Sequence, residues 1–269
     1  MLISSQGITV SNPKSKEQIR VIVWEFLERK NIALFPRPCH HRIPNFKGAN
    51  RAGDRILELP EFQTAHVVKV NPDKAQERVR YHCLQQRKML LVPTPRLRGG
   101  LLNHINISDP SNHQLLQTAA TSRGVQSMSS PIGLEGSPKI DLIVLGAVAV
   151  SMKGQRIGKG EGFADLEYAM MASNGFLRED RQTLVVCTVH DYQLFDSLPD
   201  ELFGPHDVPA DIILTPTRLV RVTQPLPKPT GILWEYLSPE KLRAIPILKE
   251  FRAKEKALGR NVALKRHNE

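Results

Sequence analysis

The sequence predicts an α/β fold, in which a mostly parallel sheet forms the middle of a three-layer α/β/α arrangement. Two observations predict this fold. First, β-rich runs alternate with segments of helical spacing through most of the 269 residues, as in strands joined by crossover helices. Second, residues 140–150 form a long, almost entirely apolar run, which is typical of a strand buried on both faces of a parallel sheet.

The first helix is predicted over residues 16–30, because Ser15 is a good N-cap and apolar residues recur at helical spacing behind it. The elements that follow are a strand at 66–70, a helix at 72–87, a strand at 88–93, a helix at 112–122, a strand at 140–150, a helix at 163–173, a strand at 183–189, and a strand at 212–215 that continues through 218–222.

Three regions are expected along the chain. Residues 1–14 are predicted to be a disordered N-terminus, and residues 15–223 to form the α/β domain. Residues 224–269 are predicted to be a proline-rich spacer followed by a basic helical extension. A helix near residues 239–256 would either pack back on the domain or extend outward.

The net charge of +10 implies an anionic partner, but it does not distinguish a nucleotide, a polyanionic metabolite and RNA. No apolar run approaches the roughly 20 residues that span a bilayer, so we expect no membrane partner. The first residues lack the layout of a signal peptide. The cysteines, at positions 39, 83 and 187, are odd in number and widely spaced, which favours reduced thiols and a cytoplasmic location.

Residues 154–165 form a glycine-rich turn between a predicted strand and a predicted helix. Such a turn is a natural anion site, because glycine lets the backbone approach closely and the helix dipole favours negative charge. It is not a dinucleotide fingerprint, since Phe163 stands where a glycine is required. It is not a P-loop either, because no Gly-Lys-Ser/Thr closes it. The turn contains Gly158, Lys159, Gly160, Glu161 and Gly162, with Arg156 just before them.

Other charged residues can complete a site around this turn. Lys16 and Arg20 lie four residues apart and share a helix face. Asp165 follows the glycines, and either Asp207 or Asp211 can bring a carboxylate to the end of a strand. One or two carboxylates together with phosphate oxygens are the usual ligands of Mg²⁺. A basic loop containing Arg37, Arg42, Lys47 and Arg51 is a candidate to close over an anionic ligand.

Residues 156–165 resemble the Arg-Leu-Gly-Arg-Gly-x-Gly-Tyr-Tyr-Asp signature of the 5-formyltetrahydrofolate cyclo-ligases. Lys16 and Arg20 are similar to that family's N-terminal Lys-x-x-x-Arg, and residues 206–215 are similar to its second motif. Residues 35–48, 91–96, 158–162 and 215–218 resemble the branch of methenyltetrahydrofolate synthetase domain-containing proteins. The resemblance extends over about residues 15–255.

The resemblance implies a three-layer fold and an ATP- and Mg²⁺-dependent ligase that converts 5-formyltetrahydrofolate to 5,10-methenyltetrahydrofolate. It also implies roles for individual residues. Arg156 and Lys159 would be the catalytic cations, Phe163 and Ala164 would contact the reduced folate, and Asp165 and Asp207 would hold Mg²⁺. The ATP site would comprise Lys16, Arg20, Arg156, Gly158, Lys159, Gly160, Glu161, Gly162 and Phe163.

Two departures from the signature leave other functions open. Phe163 and Ala164 replace two tyrosines, and Glu161 places an anion in the phosphate turn. A non-catalytic folate or nucleotide binder, or a related enzyme with a different substrate, is therefore the alternative. RNA association, which rests only on charge and the basic tail at 241–266, ranks third. Nucleic acid is not the expected partner, because no aromatic signature of an RNA-recognition domain is present. The oligomeric state stays open.

Overall fold

A computed structural model describes residues 2–4, 7–135, 138–178, 180 and 182–265 of the chain. Its helices are α1 (Lys16–Arg29), α2 (Ala49–Asp54), α3 (Pro60–Thr64), α4 (Glu77–Gln85), α5 (His113–Ala120), α6 (Ser122–Ser127), α7 (Phe163–Ser173), α8 (Pro239–Ala244) and α9 (Ile247–Ala257). Within these described ranges, none of the helices has both the length and the hydrophobicity that crossing a membrane would require.

The strands of the described residues form one large sheet and several small ones. They are β1 (Leu2–Ile3), β2 (Thr9–Val10), β3 (Ala33–Leu34), β4 (Asn45–Phe46), β5 (Val67–Val70), β6 (Met89–Pro93), β7 (Leu102–Ile105), β8 (Ser129–Ile132), β9 (Leu142–Gly146), β10 (Ala149–Ser151), β11 (Arg156–Ile157), β12 (Leu184–Thr188), β13 (Leu194–Phe195), β14 (Ile212–Leu214) and β15 (Leu219–Arg221).

The large sheet has the strand order β15-β14-β12-β9-β5-β6-β7-β8. The run from β14 to β6 is parallel throughout. The outer strands β15, β7 and β8 are antiparallel to their neighbours. The sheet is therefore mostly parallel, as the alternation of strands and helices predicts, and its antiparallel strands lie at the two edges.

Helices cover both faces of this sheet. On β9, Leu142 and Val144 belong to the apolar core that includes residues of α4 and α5. The alternate residues Ile143 and Leu145 belong to the core that includes residues of α7 and α9. Since successive side chains of a strand point to opposite faces, the two cores lie on opposite sides. The three-layer α/β/α prediction is confirmed.

The apolar run at residues 140–150 is two strands rather than the single strand predicted. β9 ends at Gly146, and β10 joins a separate small sheet of order β11-β10-β13. A side chain at Gly146 would not fit, because an ideal Cβ would lie 2.3 Å from Cγ2 of Ile43. Both halves are buried, so hydrophobicity alone does not show that they belong to different sheets. The split brings β11, which precedes the glycine turn, beside β10.

The prediction of disorder for residues 1–14 is wrong for the part that the structure describes; residues 1, 5 and 6 lie outside it. β1 and β2 pair as a hairpin, and Ser4 bridges to Phe195. Ile8 and Val10 are buried against the apolar stripe of α1. Two apolar side chains at alternate positions are enough to anchor this short segment, although its overall composition is polar.

Residues 224–265 pack back on the domain, so the predicted boundary at 224 does not separate two cores. Trp234, Leu248 and Phe251 are buried in the same core as Met170 of α7. The Trp234 indole also donates to Oε2 of Glu255 at 2.8 Å. Arg266, the last residue of the predicted basic tail, lies outside the described residues. The apolar face of α9, rather than its charge, decides where this segment lies.

The predicted continuation of the strand at 212–215 into 218–222 is a reversal instead. β14 ends at Leu214, and β15 returns antiparallel to it. Pro216 interrupts the strand, and the Thr215 backbone N–H donates to the carbonyl of Arg218 at 2.9 Å. The turn therefore makes β15 an edge strand of the large sheet.

We expect none of the three cysteines to react in the native protein. Cys39, Cys83 and Cys187 are buried and free, and burial raises the pKa of each thiol to about 12. Since the thiolate is the reactive form, labelling by a thiol reagent at neutral pH should be slow until the chain unfolds. Three thiols should then react in denaturant, and a fast-reacting thiol in the native protein would contradict this expectation.

Candidate active site

The glycine turn joins β11 to α7 at the carboxyl end of the parallel strands. Gly146 at the end of β9 and Asn71 after β5 line the same cavity as the turn. Gly160 has φ +102° and Gly162 has φ +71°, conformations that side chains rarely adopt. Gly162 is the N-cap of α7 and has no side chain to accept a hydrogen bond. The first backbone N–H groups of the helix are therefore available to a ligand. The backbone of the turn therefore has the conformation that the predicted anion site requires.

One cavity of about 640 Å³ brings together the residues predicted for the ATP, folate and metal sites, apart from the alternative acid Asp211 and the basic loop. This volume lies within the usual range of about 300–1,000 Å³ for small-molecule sites. The predicted residues in its wall are Lys16, Arg20, Arg156, Gly158, Lys159, Gly160, Glu161, Gly162, Phe163, Ala164, Asp165 and Asp207.

Arg156 is buried, and three of its five N–H donors go to protein acceptors. Its Nη2 donates to Oδ1 of Asp165 at 2.6 Å. Its Nε and Nη1 donate to the carbonyls of Val208 and Gly146 at 3.1 and 3.3 Å. One side chain therefore ties the start of α7 to the end of β9 and to the loop before β14. This geometry makes Arg156 a positioning residue.

Lys16 is the first residue of α1, which begins after the predicted N-cap Ser15. Its ammonium lies 2.5 Å from Oδ1 of Asp207 and 4.7 Å from the centre of the Phe203 ring. The other carboxylate oxygen of Asp207 accepts from the backbone N–H of Gly204 at 2.8 Å. Asp207 thus holds Lys16 at the cavity wall.

Arg20 lies one turn further along α1 and secures the glycine turn. Its Nε donates to the carbonyl of Gly158 at 2.7 Å, and its Nη1 donates to Glu17 at the same distance. An ideal Cβ on Gly160 would lie 3.2 Å from the Arg20 guanidinium. The side chain of Arg20 therefore fits closely because residue 160 is a glycine.

Glu161, the anion within the turn, is neutralised by its neighbour. Its Oε2 lies 2.7 Å from Nζ of Lys159 at the cavity surface. Its backbone carbonyl accepts from Nζ of Lys241 at 2.7 Å, and this ammonium lies 4.8 Å from the centre of the Phe163 ring. Burial lowers the pKa of Lys241. The C-terminal segment thus contributes a cation that the sequence pattern does not single out.

A buried charged cluster, formed by Lys69, Asn71 and Glu167, was also missed by the sequence reasoning. Lys69 is 0% exposed and Glu167 is 5% exposed, and they form an ion pair at 2.7 Å. Lys69 also donates to Oδ1 of Asn71 at 2.5 Å. Burial raises the pKa of Glu167, while Lys69 opposes that rise. A lysine inside the apolar run of β5 was the signal that could have revealed this cluster.

Arg80 of α4 supports the segment that carries Asn71. Its Nη1 donates to the backbone carbonyls of Asn71 and Asp73 at 2.5 and 3.0 Å, and its Nε donates to Ala120 at 2.7 Å. Burial lowers the pKa of Arg80 to about 10. The segment at 71–73 lines the cavity, whereas Arg80 does not. Arg80 therefore supports the cavity wall through the backbone of this segment.

A second cavity of about 730 Å³ adjoins the first and shares Asp73, Arg96, Lys159 and Glu161 with it. The predicted basic loop contributes Arg42 to its wall. Arg37 instead pairs with Glu28 of α1 at 2.6 Å, and neither Lys47 nor Arg51 lines either cavity. Of the four predicted cations, Arg42 therefore lines a cavity, and closure of the loop over an anion stays a prediction.

The carboxylates at the turn fit a metal only in part. Among the described residues, no group of three or more His, Cys, Asp or Glu side chains could hold a metal by itself. Oδ1 of Asp165 accepts from Arg156 and from the Val208 N–H, while its Oδ2 has no protein donor among the described residues. Both oxygens of Asp207 have donors. This arrangement fits Mg²⁺ that takes most of its ligands from phosphate and water.

Asp211, the other candidate acid, has a structural role. It is buried, pairs with Lys228 at 2.7 Å, and accepts from the Val185 N–H at 2.7 Å. It does not line the cavity. Asp211 therefore joins β12 and β14 to the segment that follows the sheet.

Comparison with known proteins adds an independent finding. A model described as the 5-formyltetrahydrofolate cyclo-ligase family matches residues 12–216. The chain is 49% identical over 251 residues to the methenyltetrahydrofolate synthase domain-containing protein of Mus musculus, covering 93% of this chain and 67% of that protein. It is 50% identical over 250 residues to the Homo sapiens protein of the same name, covering 93% and 64%. The chain spans about two thirds of their length.

A solved structure is also similar. The NMR structure of the Aquifex aeolicus 5,10-methenyltetrahydrofolate synthetase matches with a TM-score of 0.48 and 19% identity. The match covers 77% of this chain and 93% of that one.

Proposed function

The chain belongs to the 5-formyltetrahydrofolate cyclo-ligase family, and we propose that it converts 5-formyltetrahydrofolate to 5,10-methenyltetrahydrofolate with ATP and Mg²⁺. One observation carries the proposal. A single cavity joins the glycine turn and its cations to apolar residues of α7 and of the C-terminal segment. A triphosphate requires the first kind of surface, and the ring system of a reduced folate requires the second.

The triphosphate would lie against the glycine turn and the first turn of α7, where backbone N–H groups have no side-chain acceptor. Lys16, Arg20 and Lys159 supply positive charge in the same wall. Lys16 and Lys159 pair with Asp207 and Glu161, and partly exposed ion pairs contribute only about 0–1 kcal/mol. A triphosphate carries more charge than a carboxylate, so it would replace these partners.

Mg²⁺ would neutralise charge on the triphosphate and polarise its terminal phosphate. Asp165 is the better protein ligand, because Oδ2 keeps its lone pairs while Arg156 and Val208 hold Oδ1. Asp207 would serve as a metal ligand only after Lys16 leaves it for phosphate. We therefore assign Asp165 to the metal and Asp207 to the placement of Lys16.

In the proposed reaction the formyl oxygen attacks the γ-phosphorus, and the bond from that phosphorus to the bridging oxygen breaks to release ADP. N10 then adds to the activated formyl carbon and loses its proton, and the bond from that carbon to the phosphorylated oxygen breaks to release phosphate. The protein mainly positions the reactants and neutralises charge. Lys159 would contact the transferred phosphoryl group, while Arg156 holds the turn in place.

The direct test is to incubate the protein with 5-formyltetrahydrofolate, ATP and Mg²⁺ and to follow the absorbance of the methenyl product. We expect product to form, and to form only when ATP and Mg²⁺ are both present. A known active cyclo-ligase serves as the positive control, and Lys16→Met is the matched variant. Folate binding without turnover, while the positive control is active, would contradict the proposed reaction.

A non-catalytic binder, or an enzyme with a different substrate, is the second candidate. It is favoured by Phe163 and Ala164, which line the cavity without the hydroxyl groups of the family signature. Its test is the double variant Phe163→Tyr, Ala164→Tyr. Turnover in that variant but not in the wild type would support the binder, whereas wild-type turnover of 5-formyltetrahydrofolate would reject it.

A further inference from the structure

We infer that Glu167 recognises the 2-amino-4-oxopyrimidine edge of the folate ring system, through its carboxylate in the wall of the 640 Å³ cavity that contains the glycine turn. This inference rests on the proposed function and adds a specificity-determining residue to it. Glu167 lies outside the 156–165 signature, and its carboxylate is paired with a lysine from the central sheet. Among the described ion pairs with a member in the cavity wall, this pair is the most completely buried.

Lys69 holds the carboxylate of Glu167 in place. Lys69 lies on β5 and is 0% exposed, and its ammonium lies 2.7 Å from Oε2 of Glu167. The same ammonium donates to Oδ1 of Asn71. The position of Oε2 is therefore set by the sheet. A carboxylate fixed in this way is preorganised for a ligand, because little side-chain freedom remains to be lost on binding.

Oε1, the other carboxylate oxygen of Glu167, has no protein partner in the part of the chain that the structure describes. Among the described residues, Oε1 of Glu167 accepts no hydrogen bond, although Glu167 is only 5% exposed and lines the cavity. Oε1 is not among the buried side-chain atoms that lack a partner, so it opens toward the cavity. A ligand that fills the cavity would displace water from this oxygen and would have to supply donors in its place.

One face of α7 turns both Ala164 and Glu167 toward the cavity. Ala164 and Glu167 are three residues apart, so they lie on the same face of the helix, and both line the cavity. Ala164 stands where the family signature has a tyrosine. A methyl group leaves the carboxylate uncovered, whereas a large ring at position 164 would occupy the space above it.

The hydrogen-bond donors of the ligand must match the carboxylate of Glu167. A carboxylate accepts hydrogen bonds and donates none, so it is complementary to two N–H donors side by side. The pterin ring of a reduced folate presents its N3–H and its 2-amino group in this way. Adenine presents one donor beside one acceptor, and phosphate would be repelled. Of the proposed substrates, the folate ring is the one that fits Glu167.

The experiment combines a change in the protein with a change in the ligand. We compare the affinity of the wild type and of Glu167→Gln for 5-formyltetrahydrofolate and for its 2-desamino analogue. A glutamine keeps an oxygen for Lys69 and turns its amide NH₂ toward the ligand. We expect Glu167→Gln to weaken 5-formyltetrahydrofolate binding about 10- to 100-fold, as for a lost charged hydrogen bond. The wild type should discriminate against the analogue by a similar factor, and the variant should not.

The controls separate this role from a structural one. Glu250→Gln changes an exposed glutamate on α9 and should leave both affinities unchanged. ATP affinity and thermal unfolding of Glu167→Gln report whether the cavity and fold persist. If that variant does not fold, the discrimination of the wild type between the two folates still tests the inference, because equal binding of both would overturn it.

Other outcomes would also overturn the inference. Equal loss of affinity for both ligands on Glu167→Gln would show that the residue does not contact the amino group. GTP has the same donor pair on guanine, and competition by GTP that depends on Glu167 and exceeds that of the folate would assign the edge to guanine instead. A wild type that binds no folate would overturn the inference together with the proposed function. Folate binding without discrimination would overturn the inference alone.

Discussion

Replacing Arg156 with methionine is expected to lower the free energy of unfolding by about 2–4 kcal/mol, because it removes a buried guanidinium that donates to partly buried Asp165 and to two backbone carbonyls. Arg156 is 3% exposed and donates to Asp165 and to the carbonyls of Gly146 and Val208. Methionine fills a similar volume but leaves these acceptors without their donors. Urea unfolding monitored by circular dichroism measures the change.

Lys159→Met is the matched control for this prediction. Lys159 also lines the cavity and pairs with a carboxylate, but its side chain is 35% exposed and that of Glu161 is 46% exposed. A surface pair of this kind contributes about 0–1 kcal/mol, so the control should unfold almost like the wild type. Arg156→Lys should recover little stability, because one ammonium does not reproduce the planar fork that reaches separate acceptors. Similar stabilities for Arg156→Met and Lys159→Met would contradict the positioning role of Arg156.

Gly160→Ala is expected to weaken ATP binding about 10- to 100-fold, which corresponds to about 1.4–2.7 kcal/mol. The residue has φ +102°, a conformation that costs an L side chain about 1–3 kcal/mol. Its new Cβ would also lie 3.2 Å from the Arg20 guanidinium, whose Nε secures the carbonyl of Gly158. The turn would relax away from the shape that presents its N–H groups. Equilibrium binding of Mg-ATP measures the loss.

Gly259→Ala separates backbone strain from the loss of the site. Gly259 also has a positive φ, +76°, but an added Cβ meets nothing within 4 Å at the surface beyond α9. This control should lose some stability to strain and keep its affinity for ATP. If both alanine variants bound ATP like the wild type, the glycine turn would not be the phosphate site.

Local patterns predicted the parts of the site that are close together in the chain. α7 spans Phe163–Ser173 as its spacing predicts, and α1 begins after Ser15, whose side chain accepts from the Gln18 N–H. The turn at 158–162 lies at the sheet edge where a strand–turn–helix order would place it. These features depend on near neighbours, so a single sequence suffices to predict them.

The roles of individual side chains could not be predicted from local sequence patterns. Arg156 was predicted to meet phosphate, which stays a prediction, but the sequence did not show that three of its donors go to Asp165 and to the carbonyls at positions 146 and 208. Glu161 was expected to oppose an anion, but Lys159 neutralises it. A charge beside a glycine turn has the same appearance in the sequence whether it faces a ligand or a neighbouring carbonyl.

The sequence by itself determined the fold class and the location of the glycine turn, because these depend on periodicity and on glycine chemistry. Only the tertiary structure decided that residues 140–150 divide between two sheets and that the C-terminal segment forms a wall of the cavity. It also decided that Lys69 and Glu167, 98 residues apart, meet in one buried pair. Such contacts join distant parts of the chain through burial and hydrogen bonding, and local patterns contain no record of which partners meet.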